Sequence, residues 1–356
     1  MSVIRTYHIL KKKINHHIPT GHTYRERNLG WIMTGIFHSN SVHTSKIANK
    51  IPGKAKRSSR SRRISRFFDN GQVRVRHWYH PVATQLLWEA AKAGGVRLII
   101  DGTKVTNGHQ LLMVALAYRH RALPIAWTWV RSGKGHSSGH KQAALLSYVH
   151  DLMPDDAIVV VVGDSEFTPL QALLEDWDWY YALRQKGSHL YRLAGDQPWQ
   201  RVDSLVTKPG QRRWLTDIEL TQEHKHACNF FADWRRGEKQ PWLISTNLPT
   251  ARETNKFYSR RMWIEEMFGD FKSNGADLES SRLQHFLRLS RLTLVVALLY
   301  VWVVTFGASS IKQGKRDMVD RTDRRDLSIY RIGYDMFERC LINQESISIG
   351  DVPYFT

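Results

Sequence analysis

Three acidic side chains stand where chemistry could be done. Asp101 follows the apolar run 96–100, and Asp164 closes a second run, 157–162, through Gly163. A carboxylate at a strand's end, where the chain leaves the sheet, can reach a ligand lying above it. Strands also end in Asp and Gly because those residues turn the chain, so position alone decides nothing. The third acid, Glu265, sharpens the case. On a helix turning ~100° per residue, Tyr258, Arg261, Glu265 and Lys272 fall within an arc of about 60°. Trp263, Ile264, Met267, Phe268 and Phe271 spread over another side, and Glu266 falls away from the polar stripe, at about 80°. One face packs; the other presents a phenol, a guanidinium, a carboxylate and an ammonium. The bland alternative is an amphipathic surface helix whose Arg261–Glu265 pair, four residues apart, adds about 0.2–0.5 kcal/mol.

The chemistry that wants such groups together is phosphoryl displacement. Two divalent ions roughly 3.5–4 Å apart can clamp the attacking and leaving oxygens, and hard cations such as Mg²⁺ or Mn²⁺ take oxygen ligands. Asp101, Asp164 and Glu265 are then the metal ligands, with waters and a nucleic-acid phosphate completing the shells. The cations on the helix would bind flanking phosphates. The whole chain suits that partner: 52 Lys and Arg against 33 Asp and Glu give its 356 residues a net charge of +19, which draws polyanions.

The elements that must position these residues are legible in outline. Residues 1–90 carry much of the positive charge and read as a basic helical DNA-binding region. Lys46, Lys50, Arg57, Arg60, Arg62 and Arg63 crowd one stretch, where apolar residues at helical spacing in 45–51 and 57–68 flank Pro52-Gly53. That pattern predicts either a helix-turn-helix laid against a duplex or a solvated basic hairpin. The basic first 13 residues have no long apolar core, so they do not read as a secretory signal; a loose arm touching phosphate fits them. From 91 to 189 the order is three strands, helix, strand, helix, strand, the unbroken Val/Ile run 157–162 reading as a strand buried on both faces. Residues 190–252 alternate in short pieces and read as a β-rich insertion. Helical patterns return over 253–310, and 311–356 reads as a polar C-terminal tail.

These residues resemble a known family. The spacing Tyr258-x2-Arg261-x3-Glu265-x6-Lys272 is similar to the signature of DDE transposases of insertion sequence family four, and the stretches around Asp101 and Asp164 resemble that family's other two acidic motifs. The likeness covers roughly 98–306, with 52–68 resembling the N-terminal DNA-binding part. One departure stands out: Ser165-Glu166 follows Asp164 where the family commonly has an arginine-glycine pair. The resemblance implies an α/β chain with a ribonuclease-H-like mixed sheet flanked by helices, and a β-rich insertion between the second Asp and the Glu. It implies that Asp101, Asp164 and Glu265 hold two Mg²⁺ or Mn²⁺ ions, and that Tyr258, Arg261 and Lys272, with Arg184 and Lys186, contact phosphates. It also implies that Trp242 or Trp234 stacks on a base flipped from the duplex. The implied reaction is hydrolysis at the ends of a mobile element to free a 3′-OH, which then attacks either the opposite strand, making a hairpin, or target DNA, the end result being strand transfer into the target. The partners would be the element's terminal inverted repeats, target DNA and a second copy in the synaptic complex, in the bacterial cytoplasm at the nucleoid. A catalytically inactive DNA-binding relative, or a nuclease without strand transfer, remains open at this point.

Other signals lead elsewhere. Two cysteines, Cys228 and Cys340, with no CxxC spacing exclude a cysteine-rich zinc site and a disulfide framework, and fit a reducing interior. His136 and His140 lack the glutamate of a zinc hydrolase. Gly133-Lys134-Gly135 is too short for a phosphate loop. The apolar stretch 292–306 falls short of the roughly 20 residues that a bilayer requires, so a core helix rather than a membrane is expected.

Overall fold

The computed structural model describes residues 2–355 apart from 107, 132–136, 194, 196 and 224, so His136 and Gly133-Lys134-Gly135 lie outside the described residues. Helices α1 (Ser2–His17), α2 (Thr23–Ser39), α3 (Thr44–Lys50), α4 (Arg57–Asp69) and α5 (Val75–Lys92) come first. The first of these corrects the expectation of a loose basic arm. Tyr7, Leu10 and Ile14 recur at three- and four-residue spacing among the basic residues and are buried; Tyr7 stacks on Trp31 of α2 with centroids 3.8 Å apart. An apolar stripe of that period docks a helix whatever its charge. In α4, Ile64, Phe67 and Phe68 point inward, as their spacing predicts, while Arg57 and Arg62 are exposed and Arg63 is half-buried.

The central layer is one mixed sheet. Strands β1 (Val96–Thr106), β2 (His109–Tyr118) and β3 (Arg121–Arg131) form an antiparallel meander. Helix α6 (Gly139–His150) leads to β4 (Val159–Gly163), and α7 (Gln171–Asp176) leads to β5 (Tyr180–Arg184). Strand β4 pairs parallel with both β1 and β5 and is buried along its whole length, as an all-valine run closed by glycine suggests. This is the ribonuclease-H-like core, element for element in the expected order. The insertion supplies β6 (Leu190–Arg192), β7 (Gln200–Arg201), β8 (Arg212–Leu220), β9 (His226–Asp233) and β10 (Trp242–Thr246). It has a small core of its own around Val202, Ile218, Leu220 and Phe230. It is also continuous with the main sheet: β10 pairs antiparallel with β5, giving the strand order β3-β2-β1-β4-β5-β10-β9-β8-β6-β7.

The remaining helices are α8 (Ala251–Tyr258), α9 (Trp263–Phe271), α10 (Phe286–Lys312) and α11 (Ile329–Ile342). Two expectations are corrected here. Helix α10 has 27 residues and, among the described residues, is the one helix long and apolar enough to cross a membrane, so length does not rule a span out. Burial argues for the core role instead: 89% of its apolar window is buried in the protein. Arg291 donates to the carbonyls of Phe68 at 2.7 Å and Val73 at 3.2 Å, and Trp129 of β3 donates to Thr293 at 3.0 Å. The segment 311–356 is no mere tail. It contains α11, which lies so close to α10 that a Cβ on Gly333 would sit 2.0 Å from the Val303 carbonyl, and one on Gly307 2.3 Å from that of Ile329. Glycine at both crossing points allows that approach. Tyr334 on α11 then reaches the Phe37 carbonyl at 2.7 Å, joining the N- and C-terminal helices over one core.

Candidate active site

The sheet brings the two aspartates together by register. Ile100 pairs with Gly163 as the last pair of the parallel β1–β4 ladder, so Asp101 and Asp164 are the next residues on chains about 4.8 Å apart. Asp164 lies just past β4, but Asp101 lies within β1, which runs on to Thr106 and pairs it with Met113 of β2, correcting the expectation that it closes a strand. Each carboxylate turns back to the chain. Asp101 Oδ1 accepts from the Gly102 N–H at 2.7 Å. Asp164 Oδ1 accepts from Ser165 N–H at 2.8 Å, capping the 3₁₀ turn Ser165–Leu170.

Glu265 arrives from α9, and the guanidinium of Arg261 joins it to Asp101. Arg261 Nη1 donates to Asp101 Oδ2 at 3.2 Å and Nη2 to Glu265 Oε1 at 2.7 Å. The arginine side chain is 11% exposed, Asp101 16% and Glu265 46%. Burial pushes the Asp101 carboxyl up to about 7; Arg261 and the Gly102 N–H oppose the shift, while Glu265 and Asp164 add to it. Asp164 therefore lies within electrostatic reach of Asp101. A carboxylate crowded by two others and shielded from water holds a positive charge tightly or takes a proton.

The four-residue signature does not lie on one uninterrupted helix. A 3₁₀ turn, Ser259–Met262, separates α8 from α9, and its tighter step breaks the ~100° progression on which the single polar stripe depends. Tyr258 lands on the buried side at 2% exposure, with no hydrogen-bond partner for its hydroxyl. Burial pushes this phenol up to about 12; Arg261 and Arg184 oppose, and Asp164 and Asp101 reinforce. The orphan hydroxyl thus sits in the field of the acidic cluster. Lys272 caps the end of α9 and pairs with Glu279 at 3.3 Å.

The other candidates divide. Half-buried Arg184 hydrogen-bonds near the β10 entry, with Gln240 at 3.4 Å, and Lys186 is exposed. Trp242 meets the Tyr258 ring edge-on at 5.0 Å, and Arg235 covers it at 3.8 Å. Trp234 donates to the Glu238 carbonyl at 3.0 Å within the β9–β10 hairpin. In the basic hairpin, Lys46 lies 4.0 Å from Asp277 and Lys50 is exposed. Arg60 turns inward to the carbonyls of Ala48, Ile51 and Ala55, fastening the α3–α4 connection. Arg235, which the sequence did not single out, also donates to Asp233 at 3.1 Å and to Asn255, tying the hairpin to α8. No periodicity marks it.

An all-oxygen donor set suits a Mg²⁺-type ion, and an unpartnered buried hydroxyl beside it leaves a polar valence to fill. Among the described residues no three acids, histidines or cysteines converge closely enough to hold a metal. The Arg261 fork bonds both Asp101 and Glu265.

Residues 92–302 match the family described as transposase DDE domain, a span that holds all three acids and Arg261. The chain belongs to the transposase DDE domain family. Among solved structures, this DDE-domain chain is similar to a piggyBac transposase in a synaptic complex with hairpin DNA, at 10% identity and a TM-score of 0.41, covering 96% of this chain and 78% of that one. No curated protein matches it.

Proposed function

We propose that this chain is a DNA transposase of the insertion sequence family four kind, cutting at the ends of its element and joining them to target DNA. The observation that carries the reading is that Asp101 and Asp164 directly follow the paired residues Ile100 and Gly163, with Glu265 joined to Asp101 through one guanidinium. Asp101, Asp164 and Glu265 would hold two Mg²⁺ or Mn²⁺ ions, which when bound activate water and stabilise charge on the attacking and leaving oxygens. The protein's own part is to place the scissile phosphate where the parallel β1–β4 ladder ends, beside Asp101 and Asp164. Arg184, Lys186 and Lys272 bind the flanking backbone. Lys46, Lys50, Arg57, Arg62 and Arg63 hold the duplex further out, by contacts that position without reading sequence. Tyr258, a neutral phenol with a free hydroxyl, orients a polar group at the acids and is not a nucleophile.

In the first step a water oxygen bonds to phosphorus as the P–O3′ bond breaks, leaving a 3′-OH and a 5′-phosphate. In the second, that 3′-oxygen bonds to a target phosphorus and expels the target's 3′-oxygen. Trp242 beside Tyr258, or Trp234 in the hairpin, supports an unstacked base. Two copies hold the two ends. The test is incubation of purified protein with Mg²⁺ or Mn²⁺ and DNA carrying the inverted repeats that flank its gene. The reading predicts metal-dependent 3′-OH ends and joined products. Binding with no cleavage would identify an inert relative, and cleavage without joining a nuclease.

A further inference from the structure

The fork of Arg261 is the chain's own cation in the acidic cluster. It spans Asp101 and Glu265 with charge-assisted hydrogen bonds and is itself almost wholly shielded from water. The guanidinium and a divalent ion are rivals for the same two carboxylates: the fork holds Asp101 Oδ2 and Glu265 Oε1 and draws off negative charge that a metal would otherwise use, so each weakens the other's hold. The arginine also cannot simply be left unpaired, because a buried charge without a partner is costly. It needs another anion to move to, and on the reading above the incoming DNA backbone is one.

We propose that Arg261 is a positioning residue that competes with divalent metal for Asp101 and Glu265 and yields the carboxylates when DNA phosphate draws it away. This rests on the assignment of the carboxylates as metal ligands. It deepens that reading: metal and DNA then bind with positive coupling, each raising the affinity for the other by the same factor. Without DNA the acids stay occupied and the protein is a poor metal binder, which keeps the cutting chemistry off until a substrate is seated. A second arginine supplies the control. Arg121 bridges Asp270 at 3.0 Å and Glu266 at 3.2 Å with 13% exposure, a comparable burial and charge pattern outside the proposed metal site.

The experiment measures Mn²⁺ binding to the full chain without DNA, by electron paramagnetic resonance of the free ion. It compares the wild type with Arg261→Gln, Arg261→Lys, Arg121→Gln and Asp101→Asn. Removing charge-assisted bonds of this kind should tighten Mn²⁺ by roughly ten- to hundred-fold in Arg261→Gln. Arg261→Lys, which keeps the charge but not the fork, should tighten it less; Arg121→Gln should leave it unchanged. If Arg261→Gln is poorly folded by circular dichroism, the Lys variant carries the test alone. Unchanged affinity in the folded Arg261 variants, with binding lost in Asp101→Asn, overturns the competition and leaves the carboxylate assignment standing. Binding indifferent to Asp101→Asn overturns both.

Discussion

Two arginine bridges hang from one short helix and do different work. On one side of α9, Arg261 joins Asp101 to Glu265; one residue along, Arg121 joins Glu266 to Asp270. The two guanidinium side chains are equally hidden, at 11% and 13% exposure. Their surroundings differ. Asp270 also lies 3.4 Å from the hydroxyl of buried Tyr300, so the neighbouring phenol is satisfied. Beside Asp101, the buried Tyr258 hydroxyl has no partner, and a third carboxylate, Asp164, accepts from the Ser165 N–H. The lesson is that a buried acid with an arginine is not in itself a site. The Asp270 cluster is closed, and its groups satisfy one another; the Asp101 cluster is left open where the parallel β1–β4 ladder ends, and a ligand can complete it there.

The largest expected effect separates the two clusters by function. Asp101→Asn, Asp164→Asn and Glu265→Gln should each lower DNA cleavage by on the order of 10⁴-fold with little change in the thermal midpoint. Asp270→Asn should leave cleavage by the folded protein within a few-fold. Single-turnover assays on both sets decide it; comparable losses of cleavage from Asp270→Asn would erase the distinction. Next is Arg121→Gln, which strands the Asp270 charge in the core and should cost about 3–5 kcal/mol by urea unfolding at pH 8. A loss below ~1 kcal/mol would mark the bridge as dispensable.

The closed cluster has a pH signature as well. Burial pushes the Asp270 carboxyl up to about 6, against the pull of Arg121. Between its ordinary range near 4 and that value the folded chain keeps a proton that the unfolded chain has released. The stability this residue supplies is therefore complete below pH ~4 and lost as pH rises through about 6. Relative to Asp270→Asn, the wild type should lose up to about 3 kcal/mol across that window; a flat difference contradicts the burial argument. The smallest effect concerns the orphan phenol. Tyr258→Phe should leave stability equal or raise it by up to ~1 kcal/mol, since no hydrogen bond is lost, while slowing cleavage by about ten-fold. An unchanged rate would make Tyr258 a packing residue only.

Much of this could be read from the residues in order. The Val/Ile runs before Asp101 and Asp164 specify buried strands, and Asp164 does follow the end of its strand; Asp101 does not, because β1 runs on to Thr106 in its pairing with β2, which no local pattern after Asp101-Gly102 announces. Tyr258, Arg261 and Glu265 were recognisable by spacing, but their surroundings were not. The 3₁₀ turn at Ser259–Met262 carries no strong breaker, and it turns the phenol inward. The Arg121–Asp270 bridge joins positions 149 residues apart, beyond any local pattern. The packing of α11 depends on two glycines meeting across the α10–α11 crossing, and neither sits in a motif. Arg60 shows the same limit from the other side: it belongs to a basic run by composition, yet its guanidinium fastens a turn.

The central claim is that the three carboxylates gather around divalent ions once DNA displaces the arginine between them. A crystal structure of the protein with a DNA duplex and Mn²⁺, read by anomalous scattering at the manganese edge, tests it directly. The account predicts manganese at about 2.0–2.3 Å from oxygens of Asp101, Asp164 and Glu265, with the Arg261 fork turned onto a phosphate. Manganese absent from these oxygens, with Arg261 still bridging Asp101 and Glu265 beside bound DNA, would contradict it.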